Sequence, residues 1–213
     1  MSGPNGAGKS TLIYSCQKQL SNMGYAVIIP DDIISGSETP VSDAVENCIA
    51  KNKDTVFETP LQFDELAHQV QKFKQAGYKI VLIQLFLESE ESSTLRVKQR
   101  AAKGGRDIET KDIRKNFSGN LKNVVKHYHL FQQSYFIDAS TSNNPVTAEL
   151  QGGVIKFYNP VNSVCFSKLL YAIIKQHNPD KEMFSILKNS KVFGDLSYKK
   201  MTKALQAILR LKK

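Results

Sequence analysis

The chain has 213 residues, 41% of them hydrophobic, and a formal net charge of +9. This length fits one α/β domain, alone or with an appendage, that can bury a core. No apolar run approaches the roughly 18 residues of a membrane helix, and no signal peptide precedes the first motif. We therefore expect a cytoplasmic protein that does not contact membranes.

The cysteines and the distribution of charge restrict the class of protein further. Cys16, Cys48 and Cys165 are odd in number and far apart, which predicts neither a disulfide framework nor a metal site. From Lys181 onward, nine Lys and Arg residues stand against two acids, a net charge of +7. The basic character therefore belongs to the C-terminal tail.

The chain opens with a phosphate-binding pattern. Gly3 and Gly8 are separated by four residues, and Lys9 and Ser10 follow directly, which matches G-x-x-x-x-G-K-[ST]. Glycines let backbone N–H groups converge on a polyphosphate, the lysine adds a positive charge, and the serine hydroxyl is placed to bind Mg²⁺. We predict that ATP binds here. The predicted binding residues are Gly3, Asn5, Gly6, Ala7, Gly8, Lys9, Ser10 and Thr11.

The next segments predict alternating helices and strands. Residues 10–23 have helical spacing, and Tyr25–Pro30 is a short apolar run typical of a buried parallel strand. A helix over about 40–52 precedes a second strand at 55–58. We then predict a helix that begins at Thr59-Pro60 and ends near Ala76.

Acidic residues follow both predicted strands. Asp31 and Asp32 follow the first strand, and Glu58 ends the second. Ligands of open α/β sheets bind outside the carboxyl ends of the strands, so we expect these acids to point toward the phosphates. The alternative for Asp31-Asp32 is a loop start or a helix cap, and the position at a strand end favours the functional interpretation.

Residues 78–87 form the longest apolar run and the strongest strand candidate. Three successive βα units predict an α/β protein with a mostly parallel sheet and helices on both faces. Together with the phosphate-binding pattern, they indicate a three-layer P-loop NTPase fold.

A basic helical segment follows, which we interpret as a lid around residues 89–117. Arg96 and Arg100 are four residues apart and share one helix face, and Gly104-Gly105-Arg106 follows. Paired arginines before a Gly-Gly hinge suit a lid over phosphates. On spacing alone, a solvated basic helix explains the pattern equally well.

The remaining segments complete the predicted domain. A long helix over about 111–133 precedes a strand at 135–138, a hairpin at 146–150 and 154–158, and a helix at 163–176. We predict a P-loop domain over 1–178 and a basic helical tail over 179–213. The tail carries an amphipathic helix at 199–211, which we expect to dock on the domain.

The ordered motifs resemble those of zeta-toxin-like P-loop kinases. The resemblance rests on GPNGAGKSTL, IIPDDI, VFETPL, GYKIVLIQLFL and LRVKQRAAKGGRDI, with the later strand and hairpin, and covers roughly residues 2–170. It implies a kinase that transfers the γ-phosphate of ATP to a small-molecule hydroxyl. The best-known family members phosphorylate UDP-N-acetylglucosamine, and some are toxins restrained by an antitoxin protein.

The resemblance also implies roles for particular residues. Asp31 takes the position of the catalytic base, while Lys9 and Ser10 take the ATP and Mg²⁺ positions. Glu58 corresponds to the acid that contacts the metal or the acceptor, with Thr59 and Asp32 as neighbouring substrate positions. The charge-neutralising arginines correspond to Arg96 and Arg106, supported by Arg100.

Two departures from the family pattern leave a second hypothesis open. Thr59-Pro60 replaces the Thr-Thr of many relatives, and the stretch 114–120 lacks an arginine cluster. The alternative is a nucleotide-binding regulatory or degenerate protein without kinase activity, whose basic tail binds nucleic acid or an acidic partner. Asp31 and Glu58 favour the kinase, because a mere binder needs no base. Under the kinase hypothesis, we expect a small-molecule substrate in preference to nucleic acid.

A strand expected in P-loop domains has no counterpart in the printed sequence. A buried strand of about five or six residues normally precedes the loop at the centre of the sheet, whereas only Met1 and Ser2 precede Gly3. We therefore expect an N-terminally shortened kinase. The strands at 55–58 and 80–87 should then flank an empty slot, and the first residues of the loop should lack an anchor.

Overall fold

We describe a computed structural model of the chain over residues 1–31, 40–159 and 163–177. The expected α/β architecture is present, with helices on both faces of a mostly parallel set of strands. The helices are α1 (Lys9–Asn22), α2 (Val41–Ala50), α3 (Asp64–Gln75), α4 (Glu90–Ala102), α5 (Thr110–Lys126) and α6 (Val164–His177), with a 3-10 turn at Tyr128–Leu130. None of the helices in these ranges is long and apolar enough to cross a membrane.

The strands form two separate sheets. The strands are β1 (Ala26–Ile28), β2 (Thr55–Phe57), β3 (Val81–Phe86), β4 (Gln133–Asp138), β5 (Val146–Gln151) and β6 (Val154–Tyr158). The parallel pair β1–β2 makes one sheet, and β3-β4-β5-β6 makes the other. β3 and β4 are parallel, whereas β5 and β6 form the predicted antiparallel hairpin beside β4.

The predicted slot lies between β2 and β3, which do not pair with each other. Ser2 alone bridges it among the described residues, in parallel register with Thr59 on one side and Gln84 on the other. The two sheets therefore lie on either side of Ser2, with a slot between β2 and β3. The expectation of a slot at this position is confirmed.

The core lies on both faces of these strands. On one face, α2, α3 and α6 cover apolar side chains of β3, β4 and β5. On the other face, α1 packs on Val56 and Ile29 through Ile13, Cys16 and Leu20. Both faces of the parallel strands are thus buried by helices, as the continuous apolar runs of the sequence predict.

Two predicted helix boundaries are wrong. The helix expected to begin at Thr59-Pro60 begins at Asp64 instead. Thr59 extends the line of β2 by its bridge to Ser2, and its hydroxyl accepts a hydrogen bond from the N–H of Leu61 at 2.9 Å. These contacts hold the segment in a turn. Leu61 in this turn has a positive φ of 49°, which is incompatible with a helix.

The helix expected over 111–133 ends at Lys126 and is followed by the 3-10 turn. Gln133 belongs to β4, where it pairs with Val81 and Gln151. Ladder pairing on both sides overrides the local helical pattern at this position. The boundary at residue 178 stays a prediction, and the tail helix at 199–211 lies outside the described residues.

Substitution of Phe166 on α6 tests how this helix packs on the core. Its ring stacks on Phe86 at 4.4 Å between centroids, with 11° between planes, and both side chains are buried. Phe166→Ala should lower the free energy of unfolding by about 3–5 kcal/mol, because a large cavity replaces the ring. The midpoint of urea unfolding at constant m-value measures this change.

Tyr171→Ala on the same helix is the matched control, since Tyr171 is 51% exposed. It should change the free energy of unfolding by less than about 1 kcal/mol. Equal losses from the two variants would show that α6 does not pack as described.

Candidate functional site

The loop that joins Ser2 to α1 has the geometry of an anion cradle. Gly6 and Gly8 have φ values of 75° and 85°, in the region that a side chain disfavours. α1 begins directly afterwards at Lys9, and no side chain caps its N-terminus. The first backbone N–H groups of the helix and its positive dipole end therefore face the loop, as phosphate binding requires.

The first residues of the loop are anchored, contrary to our expectation. The Ser2 N–H donates to the Ile83 carbonyl at 2.8 Å, and the Leu85 N–H donates to the Ser2 carbonyl at 2.8 Å. On the other side, the Thr59 N–H donates to the Met1 carbonyl at 2.9 Å. The expectation was wrong because two residues are enough to pair with both flanking segments.

Asparagines of α5 provide a second anchor for the loop. Asn116 Oδ1 accepts a hydrogen bond from the Asn5 N–H at 3.1 Å, and its amide nitrogen donates to Gln62 Oε1 at 2.6 Å. One turn later, Asn120 donates to Ser2 Oγ at 2.9 Å and to the Pro60 carbonyl. α5 thus fixes both the loop and the segment after β2.

Gln84 completes this amide network from β3. Its side-chain nitrogen donates to Asn120 Oδ1 at 2.8 Å, and both side chains are fully buried. The sequence analysis missed these positioning residues. Asn116, Asn120 and Asn123 recur at i, i+4 and i+7, so they share one helix face, and all three are buried. A polar stripe on the buried face of a helix was the available signal.

Lys9 and Glu58 form the buried charged centre of the site. Lys9 Nζ lies 3.9 Å from Glu58 Oε1 and donates to the Pro4 carbonyl at 3.1 Å. Burial lowers the pKa of Lys9, and the negative charge of Glu58 partly opposes this shift. A desolvated ammonium of this kind gains much from an incoming polyphosphate, because charges interact more strongly away from water.

Asp31 lies at the mouth of the same site. Asp31 follows β1 after two further residues. Its negative charge raises the pKa of Lys9, whereas the positive charge of Arg100 lowers it. Arg106 Nη1 donates to Asp31 Oδ1 at 3.2 Å, and both side chains are about two-thirds exposed. The predicted base and one predicted lid arginine therefore meet across the opening. The second acid, Asp32, lies outside the described residues.

The other predicted arginines lie on α4, beside the loop. A Cβ on Gly6 would lie 3.1 Å from the Cβ of Arg96, so the helix packs directly on the loop. Ser93 on the same helix donates to the Asn5 carbonyl at 2.6 Å. Arg96 reaches the Ser140 carbonyl at 3.1 Å, and Arg100 donates to the Arg106 carbonyl at 2.9 Å. Arg100 thus supports the segment that carries Arg106.

The remaining predicted residues differ in accessibility. Ser10 is half-buried in the first turn of α1, whereas Thr11 is exposed. Thr59 is 4% exposed and accepts a hydrogen bond from the backbone of Leu61. Its hydroxyl therefore supports a turn next to the site.

The oxygen donors at the loop suit a magnesium ion. Glu58 Oε2 is buried and has no hydrogen-bond partner among the described residues. A carboxylate oxygen in this state, together with the Ser10 hydroxyl, matches the few protein ligands that Mg²⁺ takes beside phosphates. Within the same ranges, no group of three or more His, Cys, Asp or Glu side chains could hold a metal without phosphate.

The loop, its buried lysine and the three-layer scaffold define a P-loop nucleotide-binding, kinase-like protein. Residues 35–144, just over half of the chain, match the Zeta toxin family. The chain belongs to this family. The match begins after the phosphate-binding loop, so the loop is an independent indication of nucleotide binding.

A solved structure from the PezAT chromosomal toxin–antitoxin system of the human pathogen Streptococcus pneumoniae has the same fold. It aligns with a TM-score of 0.51 and 13% sequence identity, over 99% of this chain and 85% of that chain. At this identity the similarity concerns the fold alone. A search of the curated proteins found no match.

Asn120→Ala tests whether α5 holds the loop. The change removes the hydrogen bonds of Asn120 to Ser2 Oγ and the Pro60 carbonyl and leaves the buried Gln84 amide with only the Leu85 carbonyl, so we expect a loss of about 1–3 kcal/mol in the free energy of unfolding. Nucleotide affinity should also fall, because the loop loses a fixed position. Thermal unfolding and titration with a fluorescent ATP analogue measure the two effects.

Lys122→Ala on the exposed side of α5 is the control, and it should change neither quantity. Unchanged nucleotide affinity in a folded Asn120→Ala protein would show that the network stabilises the core without positioning the loop.

Proposed function

We propose that this protein is an ATP- and Mg²⁺-dependent kinase that phosphorylates a hydroxyl of a small molecule, with a UDP-sugar as the first candidate acceptor. The observation that carries the proposal is the buried Lys9–Glu58 pair at the loop, 3.9 Å apart, with Asp31 close enough for its charge to act on Lys9. A protein that only bound nucleotide would need the loop and its lysine, but it would not need a carboxylate at the mouth of the site.

The loop and Lys9 would hold the polyphosphate of ATP, and the arginines of α4 would neutralise its outer charges. Phosphoryl transfer requires little beyond positioning and charge stabilisation, so these groups are sufficient in kind. Ser10 and Glu58 would hold Mg²⁺, which would supply positive charge to offset that of the phosphates.

Asp31 would accept the proton of the acceptor hydroxyl. It is suited to this because it is exposed at the mouth of the site, where an acceptor can reach it. Arg106, which donates to Asp31 Oδ1 at 3.2 Å, would hold the carboxylate in position at the opening. An exposed ion pair of this kind is weak, about 0–1 kcal/mol, so an acceptor can displace it.

Two further parts of the proposal rest on the family and the structural neighbour. The neighbour comes from a toxin–antitoxin system, so an antitoxin protein is a candidate partner of this chain. We also propose that the protein works in the cytoplasm, where ATP is available to it. Mixing the kinase with protein from its own cells and isolating a complex that blocks ATP binding would test the partner.

Variants of the charged site test the chemistry. Asp31→Asn should leave ATP affinity nearly unchanged and lower the rate of phosphate transfer about 10²–10⁴-fold, because the proton acceptor is lost. Lys9→Ala should weaken both binding and transfer. The measurement is transfer of label from γ-labelled ATP to a panel of UDP-sugars, nucleosides and RNA ends, with binding followed separately.

The control is Glu65→Gln, which removes a charge from the exposed face of α3 and should leave both quantities unchanged. Full turnover by Asp31→Asn would assign the base to another acid. Tight ATP binding by the unaltered protein with no transfer to any acceptor class would favour the nucleotide-binding regulatory function instead.

A further inference from the structure

The turn after β2 presents an aromatic side chain to solvent beside the phosphate-binding loop. Phe63 directly precedes α3 and is 40% exposed. Its neighbour Gln62 accepts a hydrogen bond from the side-chain amide of Asn116 at 2.6 Å, and Asn116 accepts one from the Asn5 N–H of the loop at 3.1 Å. Two hydrogen bonds therefore connect the segment that carries Phe63 to the loop.

α5 and a strained residue hold this turn in a fixed position. A Cβ added to Gly119 of α5 would lie 3.0 Å from the Gln62 carbonyl oxygen, so the glycine allows a close approach of the helix to the turn. Leu61, the residue before Gln62, is fully buried at a φ of 49°, which costs energy for a leucine. Such backbone persists where surrounding contacts hold it, and it clusters at ligand sites. The position of Phe63 is therefore set before any ligand binds.

Lys115 of α5 places a positive charge over the Phe63 ring. Its Nζ lies 5.2 Å from the ring centroid, within the range of a cation–π contact. The adjacent Arg114 forms an ion pair with Glu90 at 2.8 Å, whereas Lys115 forms none with any residue that the structure describes. The charge of Lys115 is therefore available to an anionic ligand that approaches the ring.

Gln62 adds hydrogen-bond donors at the same place. Its Oε1 accepts the hydrogen bond from Asn116, and its Nε2 has no partner within the described ranges. A half-buried amide that is fixed through its oxygen can offer both N–H groups to a ligand. The turn and α5 thus combine an exposed ring, an ammonium and an amide donor.

These three groups match the parts of a nucleoside diphosphate. An aromatic side chain stacks on a planar base, because every base has a π-face. A lysine ammonium binds phosphate oxygens, and a side-chain amide donates to oxygens of the phosphate, sugar or base. Since the turn follows Glu58 at the carboxyl end of β2, the groups lie at the edge of the sheet where the phosphate-binding loop also lies.

We infer that Phe63, Lys115 and Gln62 form an acceptor subsite, which selects an acceptor that joins a planar base to a diphosphate. This inference rests on the proposed kinase function. The base stacks on Phe63, the diphosphate contacts Lys115, and the Gln62 amide donates to the same ligand. The group that bears the hydroxyl is left for the charged site at Asp31. The hydrogen bonds of Asn116 keep the acceptor subsite at a fixed position relative to the loop.

Calorimetric titration of UDP into the full chain tests the acceptor subsite, with the phosphate-binding loop filled by a non-hydrolysable ATP analogue. We expect saturable binding of UDP and at least about tenfold weaker binding of uridine, which lacks the phosphates. Phe63→Ala should weaken UDP binding about 5- to 100-fold, because stacking on the base is lost. Phe63→Tyr should retain UDP binding, since it keeps an aromatic ring at this position.

Lys115→Ala separates the contribution of the charge from that of the ring. It should weaken UDP binding about three- to tenfold and leave uridine binding unchanged, because only the phosphates are charged. The matched control is Lys122→Ala, two turns further along the exposed side of α5, which should change neither affinity. Thermal unfolding of each variant shows that it is folded under the conditions of the titration.

Failure of the acceptor subsite and failure of the kinase give different results. UDP that does not bind, or that binds Phe63→Ala as tightly as the unaltered chain, would overturn the subsite. A uridine oligonucleotide that binds more tightly than UDP would assign these residues to RNA and overturn it as well. UDP binding that depends on Phe63, without phosphate transfer to any UDP-sugar, would support the subsite and contradict the kinase. Phosphate transfer with the same KM in Phe63→Ala would support the kinase and overturn the subsite.

Discussion

The pairing of Ser2 with both sheets is the contact on which the rest of the structure depends. Through its bridges to Thr59 and Gln84, this one residue links the β1–β2 sheet to the β3-β4-β5-β6 sheet. It also sets where the phosphate-binding loop begins, because Gly3 follows at once. The relative position of Lys9 on the loop and Glu58 after β2 therefore rests on a short stretch of backbone hydrogen bonds and on the amides of α5.

Buried asparagines of α5 add to these backbone hydrogen bonds. Asn116 and Asn120 contact the loop and the segment after β2 directly. A side-chain amide can both donate and accept hydrogen bonds. Asn116 and Asn120 can therefore bond to an N–H, a hydroxyl and a carbonyl group.

The site contains two charged pairs, one buried beneath the loop and one exposed at the opening. Lys9 and Glu58 are buried together, so each tolerates burial because the other is near, and both would respond strongly to a bound phosphate or metal. Asp31 and Arg106 meet in solvent, where their attraction is screened and easily exchanged. A buried charged pair below an exposed one suits the proposed transfer of phosphate to a second substrate.

The sequence by itself determined the phosphate-binding loop, the α/β class and the family resemblance. Each depends on local spacing or on the order of short motifs along the chain. Only the tertiary structure decided the helix start at Asp64 and the roles of Asn116 and Asn120, because these depend on contacts between residues distant in sequence. The Asp31–Arg106 contact belongs to the same group, since 75 residues separate its partners. Periodicity reports which face of an element is buried, but it carries no information about which distant group that face meets.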